Sequence, residues 1–364
     1  MTRASDTARL LGAGGSILGS LDVGGGQIGG RRNVVINGAM NIAQRATSVT
    51  DLGSGSGSYP TCDRFAVSQT ATAGRYTMTQ EADGPSGFAN CIKLDCTTAD
   101  TSIAASEFFL LRQRIEGQNL QMFAKGTSDA KQYSLSFYVK GNANATYVAE
   151  LMDNDNSNRH VGKTFAVTTS WNRIEMLFPA DTTGAFADDN GASLDLNIWL
   201  HSGSDRTSGT LQQTWGALAQ TNRAVGISSF FSSTDNTFFI TGVQLEVGSV
   251  ATPFEHLSAG ESLQLCQRYY SEVSVGYYAG NGSGTTKIAT GMPLPTPLRA
   301  APSSIAGLNV HRSGNQTATC TIDSISLSAN SSFLYIRFAG FSSGTDEAAF
   351  VVYLSANMLL DSEL

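Results

Sequence analysis

Short segments in which apolar and polar residues alternate recur between Cys62 and Glu255, and this alternation constrains the fold more than any other feature of the chain. It is clearest in SLSFYVK (134–140), TYVAELM (146–152) and SLDLNIWLH (193–201). Alternation with a period of two is typical of β-strands with one buried face. Gly, Asn and Asp turns separate the segments and no longer repeat is visible, so the sequence predicts an all-β sandwich rather than a solenoid.

One longer strand changes the phase of its alternation. In FFITGVQLEV (238–247), apolar residues occupy even positions before Gly242 and odd positions after it. One extra residue inserted into a strand produces such a change, so the sequence predicts a β-bulge at Gly242. A turn is predicted at residues 258–260, and GESLQLCQRYY (260–270) predicts one short helix.

Glycine clusters indicate how the chain is divided. Residues 12–30 contain nine glycines in nineteen positions, which is too many for a helix or strand that supports itself. We therefore predict an N-terminal segment, residues 1–30, that needs a partner. The β-sandwich domain follows over 31–257, then a short helical connector over 258–275 and a smaller C-terminal β domain over 276–364.

The C-terminal domain is predicted to contain three strands, in TATCTIDSISLS, SFLYIRFAG and AAFVVYLSANML. The segment AAFVVYL has too many apolar residues for a solvated face, so we expect it to meet another domain or subunit. Tyr277, Tyr278 and Tyr335 are alternative recognition residues in this domain.

Composition excludes several classes of function. The net charge is −7, the pI is about 5.1 and 15% of residues are charged, which argues against binding to nucleic acid or to an anionic membrane. No run of about 18 apolar residues predicts a membrane span, and the first residues lack the apolar core of a signal peptide. We expect no membrane insertion.

The cysteines do not predict a metal site. Cys62, Cys91, Cys96, Cys266 and Cys320 form no C-x-x-C pair and have no His at ligand spacing. One interpretation is that Cys91 and Cys96 face each other across a strand. Reduced thiols that act as small apolar side chains are the favoured one.

Two motifs have plainer explanations than ligand binding. Gly24, Gly26 and Gly29 fit G-x-G-x-x-G, but β-like NVVI follows where a helix should begin, so no cofactor site is predicted. DNDNSN (153–158) begins like a calcium loop but lacks the final Glu, and FADDNGAS contains an Asn-Gly turn. Polar turns are favoured over calcium sites at both places.

Catalytic residues are equally hard to assign. A glycosidase needs two carboxylates about 5 to 10 Å apart across a sugar cleft. Glu150, Asp153, Asp188, Asp195 and Glu246 are available, but none forms a recognisable pair, and no G-x-S-x-G or H-E-x-x-H motif occurs. We expect a protein that is not an enzyme and has no cofactor.

One strand carries a chemically suitable binding strip. If Leu194 and its alternate neighbours are buried, then Asp195, Asn197, Trp199 and His201 share the outward face of strand 193–201. An aromatic ring can stack on a sugar while polar side chains bond its hydroxyls, so these four residues are the predicted glycan-binding site. The competing interpretation is that Trp199 packs under a loop or a neighbouring subunit. Further aromatic candidates are Trp215 and Tyr138.

Several phrases resemble a known family. They are NVVINGAMNIAQR (33–45), QRIEGQN (113–119), DNDNSNR (153–159), FPADTTGAFADDNGASLDLNIWL (178–200), TSGTLQQTWG (207–216) and the stretch from Phe238 to Tyr270. In kind and order they resemble phrases of tail-fibre and other host-recognition proteins of bacterial viruses. That resemblance implies a jelly-roll β-sandwich like those of carbohydrate-binding modules. MTRASDTARLLG and LLDSEL resemble the attachment and distal ends of such fibres.

The resemblance also implies a function and partners. We expect a structural virion protein, a tail fibre that binds a host-cell surface glycan, assembled in the host bacterial cytoplasm as a homotrimer. Its N-terminus would attach to other tail or virion proteins. The alternatives are a polysaccharide-degrading tailspike and a capsid decoration or head fibre.

Overall fold

The structure is a computed structural model that describes two compact units. It covers residues 31–364 apart from 56, 71, 274–275, 283–286, 303, 307–309, 313–320, 328–332, 340–348 and 355–357. The chain divides between Leu257 and Ser258. The whole of the predicted attachment segment, residues 1–30, lies outside the described residues. Within the described part, no helix is long and apolar enough to cross a membrane.

The first unit is a sandwich of two antiparallel sheets with six strands each. The first sheet has the order β1-β4-β5-β12-β7-β10 and the second has the order β2-β3-β6-β11-β8-β9. The strands are β1 Ser48–Leu52, β2 Gly57–Ser58, β3 Ala66–Gln69, β4 Arg75–Glu81, β5 Cys91–Thr98, β6 Phe108–Glu116, β7 Tyr133–Gly141, β8 Ala145–Asp153, β9 Arg159–Val167, β10 Asn172–Phe178, β11 Ala192–Ser202 and β12 Thr237–Val247. The prediction of an all-β jelly-roll sandwich is confirmed.

Helical structure in this unit is short. Among residues 31–257 as described, it consists of α1 (Ser204–Thr207) and the 3-10 turns Gly117–Asn119, Gln121–Phe123, Gln220–Asn222 and Phe230–Ser232. Two of these turns and α1 belong to the long connection between β11 and β12.

The core lies between the sheets and follows the alternation in the sequence. The predicted inward residues of β7, β8 and β11 all belong to one buried cluster: Leu135, Phe137, Val139, Tyr147, Ala149, Leu151, Leu194, Leu196, Ile198 and Leu200. Because successive side chains of a strand point to opposite faces, the residues between them form the outer faces of the sheets.

The bulge predicted in β12 is confirmed. Pairing of β12 with β7 shifts register between Thr241 and Gln244, and Gly242 has a φ of +63°. A Cβ at this position would lie 2.8 Å from the Phe88 ring and 2.9 Å from the Tyr138 ring. Glycine is needed here for both its backbone conformation and its lack of a side chain.

The first described segment of the chain is joined to this bulge. The Asn33 side chain donates to the Val243 carbonyl at 3.0 Å and accepts from the Leu245 amide at 3.0 Å. The Gly38 carbonyl accepts from the Val243 amide at 2.9 Å. Residues 33–38 therefore pair with backbone groups of β12 beyond Ile240, where the pairing of β12 with β5 ends.

The second unit begins with α2 (Ala259–Gln267). Ser258 caps it, because the Ser258 hydroxyl accepts from the Glu261 amide while the Glu261 carboxylate accepts from the Ser258 amide. The helix is shorter than predicted. Tyr270 already begins a strand that pairs with Asp361, which corrects the proposed helical connector over 258–275.

The strands described in the second unit form two sheets, of order β13-β21-β16 and β17-β20-β14-β15-β19-β18. The three predicted strands are present as β18 to β20. The bounds are β13 Tyr270–Val273, β14 Gly276–Gly282, β15 Lys287–Pro293, β16 Ser304–Ala306, β17 Val310–Arg312, β18 Thr321–Leu327, β19 Phe333–Ala339, β20 Ala349–Leu354 and β21 Met358–Asp361.

Candidate functional site

The predicted glycan-binding strip is buried. Asp195, Asn197 and Trp199 lie together on the outer face of β11. A register shift after Trp199 pairs His201 with the core residue Phe109 instead. All four predicted residues have exposed fractions of only 0 to 1%. The prediction that this face is exposed is wrong. Residues 203–229, here called the covering segment, lie across the outer face of the second sheet and exclude solvent from it.

The Trp199 side chain is buried between neighbouring strands and the covering segment. Its ring packs with Leu110 and Val148 of neighbouring strands and with Ala224 of the covering segment. The Arg223 guanidinium lies 4.7 Å from the ring centroid. The competing interpretation, in which Trp199 packs under a loop, therefore describes its position.

The polar members of the strip are bonded to other protein groups. Asp195 lies 3.2 Å from the Arg112 guanidinium and accepts from the Asn154 side chain at 2.8 Å. His201 Nδ1 lies 2.8 Å from the Ser229 hydroxyl, and burial lowers the pKa of His201. These groups stabilise the covered face, and they are not presented to a sugar.

A buried carboxylate organises this network. Glu150 is fully buried, and both of its oxygens accept from Arg223, at 2.9 and 2.8 Å. Asn197 and Trp199 donate to Glu150 Oε2 at 3.0 and 2.9 Å. Burial alone would raise the pKa of Glu150, but the Arg223 charge and hydrogen bonds, with help from His160, lower it to about 2. Glu150 is therefore a paired anion and not a proton donor.

The DNDNSN segment forms a turn between β8 and β9. Ser157 and Asn158 have φ values of +57° and +56°, in the left-handed region that occurs in turns. The Asp153 carboxylate lies 2.6 Å from the Lys125 ammonium, which supplies its countercharge. Among the described residues, no three His, Cys, Asp or Glu side chains are grouped as metal ligands. In the DDNG sequence, Asp189 accepts from the Gly191 amide at 2.8 Å, as in a turn.

Trp171 lies on the opposite side of the sandwich, on the outer face of the first sheet. Phe239 of β12 and Lys140 of β7 are register partners, and Trp171 directly precedes β10, which also pairs with β7. Asp83 reaches the same place from the loop after β4. Trp171, Phe239, Lys140 and Asp83 are here called the aromatic surface, and all four are partly exposed.

Electrostatic contacts fix the geometry of the aromatic surface. Lys140 Nζ lies 2.5 Å from Asp83 Oδ2, 5.2 Å from the Trp171 ring centroid and 4.6 Å from that of Phe239. The Trp171 indole donates to Asp83 Oδ1 at 3.4 Å. The hydrogen bond from Lys140 is the largest cause of the lowered pKa of Asp83. The Asp83 side chain nevertheless keeps 43% of its surface exposed.

More aromatic side chains continue along this face. Tyr138 lies two residues before Lys140 on the same strand, and its ring centroid is 5.3 Å from that of Phe88. Phe88 also contacts Phe254 at 5.0 Å and His256 at 5.1 Å. Tyr138, a weaker sequence candidate, is thus part of an aromatic row that extends the aromatic surface.

The remaining aromatic candidates lie elsewhere. Trp215 donates to the Pro179 carbonyl at 2.8 Å and packs 5.6 Å from Tyr133 at the edge of the core. In the second unit, the Tyr335 side chain is 51% exposed. The side chains of Tyr277 and Tyr278 lie outside the described part of the structure.

Trp171 was overlooked although its position could have been predicted. In WNRIEMLF (171–178), the residues Ile174, Met176 and Phe178 mark the inward face. The same alternation places Trp171, at an odd position, on the outward face.

Comparison with known proteins identifies no sequence relative. No family model matches the chain, and no curated protein matches it either. Among solved structures, a family 4 carbohydrate-binding module is 10% identical, with a TM-score of 0.31 over 58% of this chain and 97% of the module.

Two further solved structures have similarly low scores. A family 61 module in complex with β-1,4-galactotriose is 10% identical, with a TM-score of 0.29 over 60% of this chain and 99% of the module. The enzymatically active domain of tailspike protein 4 of bacteriophage CBA120 is 10% identical, with a TM-score of 0.28 over 59% of this chain and 21% of that domain.

Proposed function

We propose that the protein is a non-enzymatic tail fibre of a bacteriophage that binds a host-cell surface glycan through the aromatic surface of its jelly-roll unit. The observation that carries the proposal is that Trp171 and Phe239 stay partly exposed beside an ion pair, whereas the aromatic and polar side chains on the outer face of β11 are covered.

The chemistry of the aromatic surface suits a saccharide. A sugar ring has an apolar face that stacks on an indole, and hydroxyls that bond to charged groups at its edge. Lys140 and Asp83 supply a donor and an acceptor next to Trp171. Because these contacts already fix the Trp171 ring, little conformational freedom is lost when a ligand binds.

The proposal of a binding protein is supported by the state of the buried carboxylates. Glu150 pairs with Arg223, and Asp153 pairs with Lys125. A glycosidase needs one carboxyl that stays protonated and a second that faces the sugar. Incubation with host envelope polysaccharide tests this point, since released oligosaccharides would identify a tailspike instead.

The remaining parts of the proposal rest on the sequence. We propose a homotrimer in the virion, attached to the particle through residues 1–30. Light scattering of the full-length protein measures its mass in solution, and a stable monomer at micromolar concentration would contradict the trimer. Labelled virions imaged by electron microscopy would distinguish a tail fibre from a capsid decoration.

Trp171→Ala tests the site itself. We expect binding to host-surface polysaccharide to weaken by about 1 to 3 kcal/mol, the range for loss of a stacking aromatic, while the melting temperature changes little. Ile103→Ala is a matched control, because Ile103 is also exposed, at 41%, but lies in the loop between β5 and β6. Unchanged affinity in a folded Trp171→Ala protein would refute the proposed site.

A further inference from the structure

A lysine is buried between two carboxylates in the first unit. The side chains of Lys125 and Asp153 have exposed fractions of 0%, and that of Asp181 has 4%. Lys125 Nζ lies 2.6 Å from Asp153 Oδ2 and 3.2 Å from Asp181 Oδ2. Three separate parts of the chain meet here: the turn before β7, the end of β8 and the loop after β10.

The surroundings hold the lysine nitrogen in place and exclude water. Nζ donates to the Thr183 carbonyl at 2.8 Å and to the Gly184 carbonyl at 2.7 Å. The rings of Phe186 and Trp215 have centroids 5.2 and 5.8 Å from Nζ. The nitrogen is therefore held next to the Asp153 carboxyl, and the two aromatic rings form the apolar side of the site.

The two oxygens of Asp153 have different environments. Oδ1 accepts from the backbone amides of Asp155 and Asn156, at 2.9 and 3.2 Å. The Asn156 side-chain amide lies 3.3 Å from Oδ1 and 2.9 Å from Oδ2. Two backbone donors aimed at one carboxyl oxygen are the arrangement that stabilises negative charge on that oxygen during acyl transfer.

Asp181 can accept a proton from the lysine. Burial raises its pKa, but hydrogen bonds from Arg159 and the Thr183 amide, with Lys125, lower the pKa overall. Arg159 binds both Asp181 oxygens at 3.0 Å. Asp181 is thus held as an anion 3.2 Å from the nitrogen, and its lowered pKa makes it a weak base that carries a proton only transiently.

We propose that Lys125 and Asp153 condense to an intramolecular isopeptide bond, with Asp181 as the proton carrier. The Lys125 nitrogen gives one proton to Asp181 and attacks Cγ of Asp153, and the charge that develops on Oδ1 is held by the amides of Asp155 and Asn156. Asp181 then passes its proton to Oδ2, which leaves as water with a second proton from the nitrogen. An ammonium and a carboxylate become a neutral amide and water, and Asp181 ends unchanged.

The fold supplies the driving force for this step. Groups held in reactive geometry behave as if present at effective concentrations of about 10⁵ M or more, which favours condensation over hydrolysis in a site without water. Formation of the amide also removes a buried ion pair, whose burial is costly. No metal, nucleotide or oxidant takes part.

Intact mass spectrometry of the folded full-length protein tests the proposal. The expected mass is lower than that of the sequence by one water molecule, and proteolysis should release a branched peptide that joins Lys125 to Asp153. Protein that has been kept in denaturant from its synthesis onward, and so has never folded, should have the full mass. The same protein should lose one water molecule after refolding. A folded protein of full mass would overturn the proposal, and so would a lost water located elsewhere, such as a succinimide at Asp83, which precedes Gly84.

Variants assign the roles. Lys125→Arg should keep the full mass, and Asp181→Asn should form the bond at least about 100-fold more slowly, the usual effect of losing a general base. Lys140 and Asp83 provide a control within the same chain, because they are 2.5 Å apart but exposed, and their peptides should stay separate. Bond formation at the wild-type rate in Asp181→Asn would refute the role of Asp181.

Discussion

Replacement of Arg223 by methionine should destabilise the first unit strongly, because it leaves the buried Glu150 carboxylate without its countercharge. The lowering of the Glu150 pKa from 4.5 to about 2 corresponds to about 3 kcal/mol at neutral pH, at ~1.4 kcal/mol for each tenfold change in proton affinity. Removal of one partner of a buried ion pair typically costs about 3 to 5 kcal/mol. We expect a loss in this range, or about 6 to 20 °C in melting temperature for a unit of this size.

Chemical denaturation of the wild-type and variant proteins measures this loss. Arg173→Met is the matched control, since Arg173 pairs with Glu175 at the surface, where the two side chains are 29% and 50% exposed, and such pairs contribute at most about 1 kcal/mol. Glu150→Gln should recover part of the loss in the Arg223→Met background, because the side chain at position 150 then carries no charge. A cost below about 1 kcal/mol for Arg223→Met would refute this account of the covered face.

Three other outcomes are expected. Trp199→Ala should cost about 3 to 5 kcal/mol of stability and leave glycan affinity of the folded protein unchanged, as measured by thermal melting and host adsorption on the same sample. Gly242→Ala should cost at least about 1 kcal/mol in denaturant unfolding, because its Cβ would overlap the Phe88 ring at a φ of +63°. Because the pKa of Glu150 is lowered by folding, its contribution is complete above pH 4.5 and is lost as pH falls towards about 2; urea unfolding across this range should be less pH-dependent in Glu150→Gln.

The fold could be predicted because alternation reports burial directly. The alternation in SLSFYVK (134–140) predicts an inward face of Leu135, Phe137 and Val139. All three residues lie in the core. Gly242 revealed the bulge because the phase of the alternation changes there. The extent of the helix after Ser258 was less predictable, since local propensity at Tyr270 is overridden by its pairing with Asp361.

The exposure of the outer faces was beyond the reach of the sequence pattern. Alternation shows that Trp199 and Trp171 each point away from the core, but it does not show which outer face is covered. Arg223 lies 73 residues from Glu150 in sequence, so their pairing is a property of the tertiary structure. The sequence predicts a glycan site in strand 193–201 because its polar side chains could bond to a sugar. In the structure they bond to other groups of the protein, including those of the covering segment.

The attachment of residues 33–38 to β12 has a consequence for biosynthesis. Asn33 and Val243 are separated by 210 residues, so residues 33–38 must wait for β12, the last strand of the unit, to be synthesised. Non-local pairing of this kind gives high contact order and folding times of about milliseconds to seconds. Until β12 is synthesised, Asn33 and Val34 lack their hydrogen-bond partners Val243 and Leu245, so truncated products are expected to expose apolar residues to chaperones and proteases. The arrangement therefore couples folding of the sandwich to completion of its translation.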